Sequence, residues 1–110
     1  MEAMRTARAR VVRLESRVVL REGLRKQVQR TVISVGGVGH RLRLVDVRPG
    51  TDRNRRTVLI TVTTDNTHQC AHVHILLARL DDYEFVASLL AHAMRAVLTG
   101  ELPADGVEAV

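Results

Sequence analysis

Cysteine occurs once, at Cys70, so no intrachain disulfide can form and a reducing, cytoplasmic setting is the expectation. Tryptophan is missing, and Tyr83 and Phe85 are the only aromatic side chains besides histidine. So few ring faces leave no stacking platform for unpaired bases. Long apolar runs are also missing: the longest near-continuous one, Val73–Ala78, is interrupted by His74. No segment is long and apolar enough for a membrane span. The arginine-rich start lacks an apolar stretch of signal-peptide length and reads as an ordinary basic helix rather than a transit peptide. Lysine is nearly absent, since Lys26 is the only one among 17 Lys and Arg residues. With no internal repeat and no linker composition, the 110 residues read as a single domain over 1–100. Residues 101–110 read as a mobile acidic tail.

What is present is charge, and it is unevenly placed. Residues 1–56 carry 15 Lys and Arg against 5 acids, whereas residues 57–110 carry 2 against 7. A basic half facing an acidic half implies a surface that meets an anion. Arginine's planar fork suits phosphate and carboxylate, although codon composition also raises arginine content.

Periodicity supplies the elements. Residues 3–30 read as helix with two apolar stripes: Val11, Leu14 and Val18, then Leu20, Leu24 and Val28 nearly opposite. A straight helix cannot bury both in one layer, so it bends near Leu20–Gly23 or turns its second stripe toward a partner chain. A strand over Ala9–Leu14 or Arg17–Leu20 is the rival reading, because valine is frequent there. Thr31–Val35 is a short strand, and Gly36-Gly37-Val38-Gly39 a hairpin turn. That glycine loop leads into another strand with no Lys-Ser/Thr after it, so it is not a phosphate-cradling loop. Leu42 and Leu44 alternate with Arg41 and Arg43, and Val58, Ile60 and Val62 alternate with Leu59, Thr61 and Thr63. These are two half-buried strands, with a basic loop Arg48–Arg56 turning at Pro49-Gly50. Asp65-Asn66 turns the chain into Thr67–Ala78, read as a strand with a helix as rival. The last helix starts at an Asp81/Glu84 capping box. It packs Val86, Leu89, Leu90, Ala93 and Val97 inward and ends at Gly100.

The expected fold is α+β: an N-terminal helix, a three- or four-stranded antiparallel sheet, and a C-terminal helix packed on the sheet. The inner face would carry Leu42, Leu44, Val58, Ile60, Val62, Val73 and Ile75. Duplex-RNA-binding domains and some small nucleoid-associated proteins share this order. A duplex-RNA-binding domain, however, starts its last helix with a basic run, and this helix starts Asp81-Asp82-Tyr83-Glu84.

Two constellations carry chemistry. Arg13, Arg17, Arg21 and Arg25 recur every fourth residue and form a helical ridge, joined by Arg48, Arg53, Arg55 and Arg56 of the loop. Such a surface suits the phosphates of DNA or RNA, read as backbone or duplex shape, with a homodimer doubling the footprint. An acidic protein partner is the alternative, which makes the chain an adaptor, a complex subunit or half of a toxin–antitoxin pair. The second constellation is His68, Cys70, His72 and His74 on one face of the fourth strand. It reads first as a polar sheet face. As a metal site, Cys70, His72 and His74 would hold zinc or another transition metal with help from a residue elsewhere, such as His40 or His92. No cofactor is otherwise expected. No Ser-His-Asp spacing exists, Cys70 has no visible base or electropositive pocket, and Asp81 and Asp82 read as helix-start residues, so nothing supports an enzyme.

Overall fold

Alternation of period two, running from Val32 to Leu76, builds the sheet. The computed structural model describes residues 19–65 and 67–101 and, as backbone, Val107–Ala109. Helix α1 (Glu22–Arg30) is followed by strands β1 (Val32–Val35), β2 (Val38–Asp52), β3 (Arg55–Thr64) and β4 (Ala71–Leu76). A 3-10 turn (Leu77–Arg79) then leads to helix α2 (Tyr83–Leu98) and strand β5 (Val107–Ala109). Strands β1 to β4 form an antiparallel meander in sequence order. The N-terminal helix, antiparallel sheet and C-terminal helix make the α+β layout that the patterning predicts. β5 is an addition within the stretch read as a tail: it lies parallel beside β4, with α2 as the crossover that a parallel neighbour requires.

One core forms between the sheet and the helices. Leu42, Val58, Ile60, Val62, Ala71, Val73 and Ile75 face it from the strands, and Leu44 packs at its margin. From α2 come Val86, Ala87, Leu90, Ala93, Met94 and Val97, and from the N-terminal side Leu20, Leu24 and Val28. Each fully buried aliphatic side chain of this kind contributes roughly 1.5–3 kcal/mol. The second apolar stripe of the first helix therefore enters the protein's own core rather than facing a partner. Helix α1 also starts later than the periodicity implies: Val19–Arg21 are not helical and Arg21 is its N-cap. The first stripe and the alternative strand up to Val18 lie outside the described residues.

Three local expectations change. The β2–β3 turn is not at Pro49-Gly50: β2 runs through both, and the chain reverses at Arg53-Asn54, where φ is 50° and 64°. Pro49 is tolerated because β1 pairs β2 only as far as Arg41, so the missing N–H costs no ladder bond on the outer edge. Second, α2 is capped by Asp82, whose carboxylate accepts the Phe85 N–H at 3.2 Å, and Glu84 falls one position short of a capping box. Third, the strand read over Thr67–Ala78 is confined to Ala71–Leu76, flanked by an irregular approach and the 3-10 turn. Asn66, half of the expected turn, lies outside the described residues. Gly36 and Gly37 form the β1–β2 turn with φ of 60° and 80°, which glycine adopts at no steric cost.

Candidate functional site

Among the described residues both helices pack on one side of the sheet, and the arginines of β2 lie on the other, where the candidate site is built. A β-bulge at Val45 decides what is displayed there. Before it, Leu42 and Leu44 point to the core while Arg41 and Arg43 point away. The register then shifts by one between Leu44 and Asp46. Beyond the bulge Val47 pairs with Ile60 toward the core, so Asp46, Arg48, Gly50 and Asp52 join Arg41 and Arg43 on the open face. Without this extra residue Arg48 would point into the core.

Cross-strand register then sets the rows of the open face. Arg43 stands beside Thr63; Asp46 beside Thr61 and His72; Arg48 beside Leu59 and His74; Gly50 beside Thr57 and Leu76. Thr57 and Thr61 on this face are only 3% and 8% exposed. Thr61 Oγ1 lies 2.8 Å from His72 Nδ1, and Thr57 Oγ1 lies 3.4 Å from His74 Nδ1. Gly50 makes room for the second pair: a Cβ there would sit 3.1 Å from Thr57 Oγ1 and 3.6 Å from the His74 ring.

Several arginines of the face are tied to acids. Arg48 pairs with Asp46, Arg43 with Asp65 at 3.8 Å and Arg55 with Asp52 at 3.9 Å. Exposed pairs of this kind add little stability, and an incoming anion can outcompete them. Arg53 and Arg56, at the hairpin tip, make no ion pair among the described residues. Arg53 is unusual in another way, since its φ of 50° is a left-handed conformation that suits Asn or Gly better.

The expected arginine surface therefore divides. Arg48, Arg53, Arg55 and Arg56 belong to the long β2–β3 hairpin. Arg21 and Arg25 sit on α1, in another layer; Arg21 reaches Asp81 at 3.9 Å, and Arg25 borders a groove with Leu44, Val45 and Asp46 beside the bulge. Arg13 and Arg17 lie outside the described residues. Sequence reasoning passed over Arg41 and Arg43 as site residues. The signal was there, because the alternation that buries Leu42 and Leu44 must send these arginines to the opposite face.

His72 and His74 share the open face as the alternation predicts, whereas His68 and Cys70 precede β4 on irregular backbone. Cys70 is a free, half-buried thiol. Among the described residues no three His, Cys, Asp or Glu side chains converge as a metal site. His40 sits on β2 opposite Ile33, and His92 is exposed on α2. No helix among the described residues is long and apolar enough to cross a membrane. No protein-family model, curated protein or solved structure matches the chain.

Proposed function

We propose that the protein binds nucleic acid through its phosphate backbone, using the open sheet face and the tip of the β2–β3 hairpin. The observation that carries this reading is Arg53. A hairpin turn with two left-handed residues strongly favours Asn-Gly, and an arginine there gives up stability. Strain held at an exposed basic tip is the pattern of a functional position. Arg55 and Arg56 follow it, and Arg41, Arg43 and Arg48 continue the basic surface along β2. With so few aromatics, contact is to phosphates and duplex shape rather than stacked bases.

The test is a fluorescence anisotropy titration with a labelled duplex at about 50 and 200 mM salt. Affinity is expected to fall steeply with salt. Replacing Arg53, Arg55 and Arg56 by Ala should make the log–log slope shallower by up to roughly 3, about one unit for each phosphate no longer neutralised. Absence of binding at the lower salt would overturn the proposal.

A homodimer would double the footprint. Exposed Val19, Val45 and Leu77 offer apolar surface for it, and sedimentation equilibrium is expected to show twice the chain mass of 12.3 kDa. The second reading, a protein-interaction module meeting an acidic partner, draws on the groove of about 230 Å³ lined by Val19, Leu20, Leu24, Leu77 and Leu80 together with Arg21 and Asp81. The ultraviolet spectrum of purified protein separates the two. One tyrosine and no tryptophan leave so little absorbance at 280 nm that co-purified nucleic acid would dominate. A spectrum without a 260 nm excess favours the protein partner.

A further inference from the structure

We infer that His72 and His74 are phosphate-contacting residues of the open face, held as uncharged hydrogen-bond donors by the buried hydroxyls of Thr61 and Thr57. The inference rests on the nucleic-acid reading above and assigns two contacts of a different kind from the arginines.

A buried O–H left without an acceptor costs about 1–3 kcal/mol, so an acceptor within reach is favoured. Thr61 is 8% exposed, and the only hydrogen-bond partner of its hydroxyl among the described residues is His72 Nδ1, at 2.8 Å. Thr57 is 3% exposed, and the only partner of its hydroxyl among the described residues is His74 Nδ1, at 3.4 Å. The arrangement that satisfies each hydroxyl has it donate to Nδ1. A neutral imidazole carries one N–H and one bare nitrogen. Accepting at Nδ1 places the hydrogen on Nε2, on the side of the ring away from the threonine. Both rings are half-buried on the sheet face opposite the two described helices, His74 in the row of Arg48 and His72 in the row of Asp46.

The result is two oriented N–H donors at alternate positions of one strand, about 7 Å apart along the backbone. That step is similar to the distance between successive phosphates of one nucleic-acid strand. A donor fixed before binding loses little entropy when it binds. Gly50 belongs to the same device, since a side chain there would press on Thr57 Oγ1 and the His74 ring. Charged neighbours do not substitute for the threonines: β2 brings Arg48 and Asp46, already paired with each other, and β3 brings only Thr57, Leu59 and Thr61 to these rows. On β5, Val107 and Ala109 stand opposite the two histidines, with Glu108 opposite Val73.

Uncharged donors leave a distinctive trace. Removing them weakens binding without changing the salt slope, because counterion release is untouched; removing an arginine changes both. The experiment combines long-range proton–nitrogen spectra of the imidazoles, recorded at about pH 8, with the duplex titration. Wild type should show the Nε2–H tautomer at His72 and His74, with both Nε2 resonances moving when duplex is added. Thr57→Val with Thr61→Val should release the tautomer preference. His72→Ala with His74→Ala should bind roughly tenfold more weakly at an unchanged salt slope. If duplex binds but the Nε2 signals stay still, or the rings carry Nδ1–H, the inference is wrong and the nucleic-acid reading survives. If wild type binds no duplex at about 50 mM salt, that reading fails and the inference falls with it.

Discussion

Arg53 and Asn54 occupy left-handed backbone positions at the tip of the longest hairpin. For a residue such as arginine this conformation costs about 1–2 kcal/mol relative to glycine. Arg53→Asn is therefore expected to raise stability by about 0.5–1 kcal/mol, read as a shift in the urea midpoint with the slope unchanged. The same variant should bind duplex more weakly, so stability and affinity should move in opposite directions. A variant that is both less stable and equally tight would show that Arg53 is at this turn for a local reason. At Gly50 the constraint is space rather than backbone angle. Gly50→Val should destabilise the sheet by about 1–3 kcal/mol through overpacking against Thr57 and His74, with the largest imidazole shift change at His74.

Among the elements, α2 is the most completely specified. Asp82 caps its start. Its C-terminus closes with Gly100 N–H donating to Val97 O at 3.1 Å and Glu101 N–H to Ala96 O at 2.8 Å, a Schellman arrangement. Asp82→Ala should cost about 1 kcal/mol, whereas Asp81→Ala should cost little, and a pair of urea melts decides which aspartate is the cap. Helix α1 is held differently. At nine residues it is too short to be stable alone. It persists because Leu24 and Val28 are fully buried against the sheet and α2. Leu24→Ala is expected to cost about 2–5 kcal/mol. Thermal melts should show this as a large fall in midpoint; a small one would mean that α1 is peripheral to the core.

At the scale of the molecule, the two helices among the described residues lie on one side of a five-stranded sheet, and the β2 bulge turns arginines from both halves of that strand onto the other. Arg21 and Arg25, half of what reads as one ridge in the sequence, belong to a different layer. A charge-reversal series should therefore divide. Arg43→Glu and Arg48→Glu on the open face should reduce duplex affinity at least roughly tenfold, while Arg25→Glu should reduce it less, through net charge alone. Equal losses at all three positions would point to a general electrostatic attraction with no defined face.

What the sequence alone determined is what local periodicity and local turn chemistry can encode. The leucine–arginine alternation at 41–44, the Val58–Val62 strand, the double glycine at 36–37 and the apolar face of α2 were legible because each depends on neighbours a few residues away. The basic-to-acidic division of the chain was legible for the same reason. The tertiary structure alone decided that Leu24 and Val28 face inward, that β5 joins the sheet and that the hairpin turns at Arg53-Asn54. It also decided the candidate site, by pairing Thr61 with His72 across 11 residues and Thr57 with His74 across 17. Those pairs follow from strand register, and register is fixed by which faces the whole core buries and by a bulge that shifts one strand against its neighbour.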